Sequence, residues 1–173
     1  DVSVWEFFLP LSFGAGLVFI AEQEKFDVVA LVRVILAEGI TLLYLPPGLL
    51  KPVYELLQTH RDHLSLDKML VGVEPIRGEV LDDYMSLNPG MQIINGYGPT
   101  ETTICCTSYT YSPVNREKGE IVPIGLPLAN SQAVLLGGGD VLVPKPQPEP
   151  LLETIGKYRP TFAPLVPTMY IGM

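Results

Sequence analysis

Cysteine, histidine, tryptophan and positive charge are all scarce in these 173 residues, with two Cys, two His, one Trp and 11 Lys+Arg against 19 Asp+Glu. Each scarcity excludes something. Cys105 and Cys106 are adjacent, a poor arrangement for a structural disulfide, so both read as reduced thiols in a cytoplasmic protein. A net charge of −8 with no basic cluster excludes nonspecific nucleic-acid binding, which needs cations to neutralise phosphates. His60 and His63 have no Cys or third His nearby, which leaves no zinc set. The longest apolar run lies in residues 28–36 and contains Arg33, too short and too charged to span a bilayer. The acidic start carries no signal peptide, so no membrane partner is expected. Gly137-Gly138-Gly139 is followed by no Gly-Lys-Ser/Thr, so it is a strand-entry turn rather than a Walker phosphate loop.

What is abundant is apolar surface, 47% of residues, enough for one domain with a large buried core. Apolar patterning predicts a strand at 17–20 and a helix over 26–38. In that helix Phe26, Val29, Val32 and Leu36 recur at helical spacing and Gly39 suits the C-terminal cap. A strand at 40–45 is stopped by Pro46-Pro47. A helix over 52–60, a strand at 68–73, a helix over 79–87 and a strand at 91–94 follow. Strands alternating with helices imply βαβ units, and continuous apolar strands suit a sheet covered on both sides. The expected fold is α/β: a doubly wound, mainly parallel sheet with helices on both faces. Beyond it, residues 102–111 are β-prone, 112–119 a polar loop and 133–136 a strand.

The most informative run is Ile94-Asn95-Gly96-Tyr97-Gly98-Pro99-Thr100-Glu101, leaving the strand candidate Met91-Gln92-Ile93-Ile94. Gly96 and Gly98 allow the backbone to approach a ligand closely, and Pro99 fixes the turn. Tyr97 offers a flat face for a base, Thr100 a hydroxyl for phosphate and Glu101 an oxygen ligand for Mg²⁺. This is a nucleotide-binding inventory at a strand end, where open parallel sheets place ligands.

Asn-Gly-Tyr-Gly-Pro-Thr-Glu resembles the aromatic-x-Pro-Thr-Glu motif of the acyl-adenylate-forming superfamily. The stretches Asp1-Val2-Ser3-Val4-Trp5-Glu6, Leu45-Pro46-Pro47 and Val122-Pro123-Ile124-Gly125-Leu126-Pro127-Leu128-Ala129-Asn130 resemble further segments of its amino-acid-activating branch, the adenylation domains of nonribosomal peptide synthetases. Order and spacing agree over residues 1–136. The resemblance implies a flavodoxin-like subdomain using ATP/AMP and Mg, in a reaction that converts ATP and an amino acid to aminoacyl-AMP and then transfers the acyl group to a thiol. Its implied partners are the amino acid, the nucleotide, the remaining adenylation subdomains and a carrier protein.

Carried over residue by residue, the resemblance implies that Tyr97 stacks on adenine, with Gly98 beside it. Asn95 and Gly96 lie along the adenine and substrate side, Thr100 contacts the α-phosphate and Glu101 holds the metal. Asp1 matches the acid that pairs with the substrate ammonium. The implied side-chain pocket is walled by Val2, Trp5, Tyr44, Leu70, Gly72, Gly96, Ile104 and Cys105. Gly72 and Gly96 are expected to leave room. No second carboxylate stands among the walls, so a medium or large apolar or aromatic amino acid is expected. The family's Gly/Ser/Thr-rich phosphate loop, its ribose-binding segment and its lid with the catalytic lysine are not found in the sequence, so the chain alone is expected to be weakly active or inactive.

The start at Asp1, within a segment continuous in the family, leads to the expectation of a fragment. Residues 137–173 resemble the acyl-CoA-ligase form of a segment already represented by residues 14–47: Gly16 falls on Gly139, Leu31 on Leu151, Ile35 on Ile155 and Pro47 on Pro167. The expectation is an additional βαβ segment on the same sheet, and a chimera joined near 134–139. Two other readings stay open at this stage: an engineered or chimeric α/β scaffold with no catalytic activity, and a flavin binder by fold alone.

Overall fold

The computed structural model describes residues 2–100, 104–113 and 119–129. Asp1, Glu101, the strand expected at 133–136 and the repeated βαβ segment, with the chimeric joint, lie outside the described residues.

Helix α1 (Val2–Ser12) opens the chain and α2 (Val28–Ala37) follows an irregular stretch. The α2 start is capped by Asp27, whose carboxylate accepts from Val29 N at 2.9 Å and Ala30 N at 3.2 Å. Its end meets Gly39 at φ +59°, the left-handed conformation that closes a helix. Strand β1 (Leu42–Tyr44) leads to α3 (Pro47–Leu57), a 3₁₀ turn (Gln58–His63), β2 (Lys68–Gly72), α4 (Gly78–Leu87) and β3 (Gln92–Tyr97). Then β4 (Thr107–Thr110) and β5 (Leu126–Pro127) complete a five-stranded sheet of order β1-β2-β3-β4-β5. The first three strands are parallel, and β4 and β5 run antiparallel.

The fold is therefore α/β with a mainly parallel sheet. Sequential right-handed crossovers place α3 and α4 on one face, and their apolar stripes bury there. Leu50, Val53 and Leu57 of α3, Leu81, Tyr84 and Leu87 of α4, and Leu31, Val32 and Ile35 of α2 pack with Met69, Val71 and Ile93 of the strands. The other face receives α1, through Trp5. Two hydroxyls tie helices to distant backbone. Tyr84 donates to Leu50 O at 2.7 Å, and the Tyr111 hydroxyl reaches Gly78 O at 2.8 Å and Asp82 Oδ1 at 2.6 Å.

Two expectations need correction, and one helix was not expected at all. The strand expected at 17–20 does not form, since no described strand pairs with it, and Val18 and Phe19 are exposed. Residues 2–12 are helical although their apolar density masked any stripe; α1 buries none of its residues and leaves Phe7, Phe8 and Leu11 exposed. Helix α3 starts five residues before the expected 52. Pro46-Pro47 ends the strand as expected, and Pro47 also stands in the first turn of α3, where its fixed φ and missing N–H cost nothing.

Burial pushes the Tyr84 phenol far above its ordinary value. Because the folded state holds that proton more tightly than the unfolded chain, the associated stability is intact below about pH 10 and is lost as pH rises beyond it. Tyr84→Phe is expected to cost about 1–2 kcal/mol at pH 7 and to flatten the loss of stability above about pH 10, both read from urea denaturation as a function of pH. An unchanged alkaline slope would contradict the assignment.

Candidate nucleotide and substrate site

The site is built where β2 and β3 end. Their parallel register runs from Lys68↔Gln92 to Gly72↔Gly96. Alternate residues share a face, so Tyr44, Leu70 and Ile94, paired across the sheet, point away from the α2–α4 core together with Gly72 and Gly96. Gly72 has φ +147°, and a Cβ there would lie 2.0 Å from Gly96 O, so only glycine fits. A Cβ on Gly96 would lie 3.0 Å from Trp5 Cη2 and 3.1 Å from both Trp5 Cζ3 and Cys105 Sγ. The two glycines therefore do not leave room, contrary to expectation. At Gly72 the space is taken by the neighbouring strand's backbone, and at Gly96 by the indole of Trp5.

Trp5 in turn leans on Tyr44, with ring centroids 6.0 Å apart and planes at 56°. Trp5, Tyr44, Gly96 and Cys105 are thus brought together, with Gly72 and half-buried Leu70 on the same sheet face. Val2 is half-buried one helical turn before Trp5. Ile104 is buried, with φ +78°. Val73, directly after β2, has φ +74°. Left-handed backbone at a β-branched residue is strained; Val73 leaves β2, and Ile104 lies between the turn and β4.

Asn95 and Tyr97 face the opposite way from Gly96, by strand alternation. Asn95 is buried and its Nδ2 donates to Pro123 O at 2.9 Å, which ties the 121–125 segment to β3. The Tyr97 carbonyl accepts from Cys106 N at 2.8 Å, which turns the chain back into β4, while its side chain is 46% exposed. Gly98 is half-buried, and Pro99 and Thr100 are exposed. Asp1 and Glu101 lie outside the described residues. The described turn thus fits a nucleotide in one respect: an aromatic ring is open at the exit of a parallel strand.

Sequence reasoning missed two carboxylates. Burial raises the Tyr44 phenol above its usual range, and Glu6 and Glu74 add to the shift. Burial likewise raises Glu6 and Cys105. Tyr44 and Cys105 therefore stay neutral at pH 7. Glu6 directly follows Trp5, and Glu74 follows the strained Val73; neither position carried a signal by spacing. An open apolar groove of about 540 Å³, lined by Val29, Val32, Arg33, Leu36, Leu56 and His60, lies between α2 and α3. It shares no residue with the turn and is not the candidate site.

The sequence profile described as "AMP-binding enzyme" matches residues 1–137. Surfactin synthase subunit 1 of Bacillus subtilis (strain 168) is 32% identical over 145 residues, covering 84% of this chain and 4% of that protein. Tyrocidine synthase 3 of Brevibacillus parabrevis is 34% identical over 148 residues, covering 83% and 2%. Among solved structures, the nonribosomal peptide synthetase FmoA3 superposes with a TM-score of 0.68 at 23% identity, over 75% of this chain and 14% of that one, a likeness of fold. IdnL7 gives 0.63 at 26% identity, over 79% and 28%. The chain belongs to the AMP-binding enzyme family, and it corresponds to part of an adenylation domain of the nonribosomal peptide synthetase kind. It spans only a few per cent of the length of these curated relatives, 4% and 2%.

Gly72→Ala and Gly96→Ala are expected to differ sharply. The first drives a methyl into backbone at a left-handed φ and should cost more than about 3 kcal/mol or prevent folding. The second meets a movable side chain and should cost about 1–2 kcal/mol while shifting the emission of Trp5, the chain's single tryptophan. Thermal unfolding and fluorescence check both; equal stability of the two variants would contradict the packing described.

Proposed function

We propose that this chain carries part of the nucleotide and substrate site of an amino-acid-activating adenylation domain. The single observation behind this reading is the Tyr97-bearing turn, with its ring open at the C-terminal end of β3. Family membership supplies the chemistry: the amino acid carboxylate displaces pyrophosphate from ATP to give aminoacyl-AMP, and the acyl group then passes to a carrier thiol. In this reading Tyr97 stacks on adenine beside Gly98, Asn95 and Gly96 lie along the adenine and substrate side, Thr100 meets the α-phosphate and Glu101 binds Mg²⁺. Asp1 takes the substrate ammonium, and Val2, Trp5, Tyr44, Leu70, Gly72, Gly96, Ile104 and Cys105 surround its side chain.

The remaining subdomains of the parent domain and a carrier protein are its partners in the cytoplasm. Exposed Phe7, Phe8, Leu11 and Phe13 support such a contact, because they give this face a cluster of large apolar side chains. No helix among the described residues is long and apolar enough to cross a membrane.

Calorimetry with AMP and with Mg-ATP tests the reading. Tyr97→Ala is expected to weaken AMP binding about 10-fold, the scale of one base–aromatic stack. Glu101→Ala should weaken Mg-ATP while sparing AMP. Amino-acid-dependent pyrophosphate exchange by the chain alone is expected to stay at background, because positioning and charge neutralisation need the whole clamp. Nucleotide binding indifferent to both substitutions would overturn the assignment.

A further inference from the structure

The groove of about 540 Å³ between α2 and α3 is walled by Val29, Val32, Leu36 and Leu56. Arg33 and His60 are the polar residues among its described lining, which holds no carboxylate. Helix α2 is therefore apolar on two sides. Leu31, Val32 and Ile35 enter the core, while Val29 and Leu36 line the groove, with Val29 68% exposed. A helix apolar on more than one side needs cover on more than one side.

The sequence holds a segment with the matching pattern. Residues 148–158 read Pro-Glu-Pro-Leu-Leu-Glu-Thr-Ile-Gly-Lys-Tyr. They lie outside the described residues, and in the repeated segment they occupy the place that α2 has in the first copy. Leu151, Leu152 and Ile155 match Leu31, Val32 and Ile35, the large side chains that α2 buries. Tyr158 continues the same stripe at helical spacing. On the other side the match breaks. Glu149 stands where α2 has Val29, and Glu153 where it has Arg33. The segment thus needs one apolar seat where α2 needs two.

Charge and reach both favour the groove as that seat. A chain of net charge −8 repels an acidic segment from most of its surface, and the groove offers Arg33 with no carboxylate in its lining. Arg33 holds Glu24 through Nη2 at 2.7 Å, and a guanidinium fork has further donors for a second carboxylate. Residues 130–147 separate the last described residue, Ala129, from Pro148. Such a length spans up to about 60 Å when extended, against a radius of gyration of about 14 Å for a domain of this size.

We propose that residues 148–158 lay the stripe of Leu151, Leu152 and Ile155 into the α2–α3 groove of their own chain, with their acidic edge toward Arg33. The groove is then closed from within, and the α2–α3 face is not free for another protein. This stands apart from the adenylation reading and gives the repeated segment a seat on the helical layer.

Methyl NOE spectroscopy of the unmodified full chain tests it. Val29, Leu36 and Leu56 are expected to show NOEs to Leu151, Leu152 or Ile155. Leu152→Asp should remove those NOEs and shift the Val29 and Leu36 methyl resonances, while Leu70 and Ile94, on the opposite face of the sheet, stay in place. A sample mixed from isotope-labelled and unlabelled chains tells contacts within one chain from contacts between two. The proposal is overturned if the groove methyls see none of the three residues, if they see a different segment, if the contacts run between two copies, or if Leu152→Asp leaves the groove resonances unmoved.

Discussion

The arrangement depends on one close approach, the C-terminal ends of β2 and β3 at Gly72 and Gly96. A methyl group on Gly72 would sit 2.0 Å from a backbone oxygen of its neighbour, so the two strands come together here only because one side chain is missing. The glycines do not set this register themselves. Met69, Val71 and Ile93 bury against α3 and α4 on the other face, and a slip of one residue would turn all three outward. The hydrophobic core thus determines which residues meet at the site, and the glycine pair is the tolerance that lets the core have its way.

Strain collects at the same end of the sheet. Val73 after β2 and Ile104 before β4 hold positive φ, at a cost of about 1–3 kcal/mol each. Such conformations persist only where the surroundings leave no alternative. Here β2 is central in the sheet, β3 is paired on both edges, and Asn95 clamps the 121–125 segment onto it. The result is a stiff rim from which Tyr97 projects, so its ring is presented by backbone that cannot relax into the pocket.

Much of this was legible in the sequence. Helix α2 is legible from helical spacing and Gly39, although of the four stripe residues only Val32 is buried, while Phe26 lies outside the helix and both Phe26 and Val29 are exposed; β2 and β3 are legible from apolar runs between turn residues, because each of these signals is local. The strand expected to end at Ile94 runs on through Tyr97, so Asn95, Gly96 and Tyr97 belong to β3 rather than to the loop after it. The rest failed where the deciding partner is distant in sequence. An apolar run at 17–20 looks like a strand until an edge to pair with is required. Gly72 and Gly96 look like open space until the neighbouring strand and Trp5 are seen to fill it. Glu6 and Glu74 matter only because β1 brings Tyr44 between the elements that carry them. Pro47 reads as a breaker or as a helix start with equal ease, and only packing by Leu50 and Val53 chooses.

In the proposed adenylation reading, the two halves of the site are supported very differently. The nucleotide half belongs to β3, which the core fixes through Ile93 and the ladder to β4. The substrate half hangs on α1, a helix that buries none of its own residues and whose Phe7 packs on Phe19 rather than on the sheet. Its anchor is the indole of Trp5 against Gly96. In that reading base recognition rests on the sheet, whereas side-chain discrimination also depends on where α1 holds Trp5.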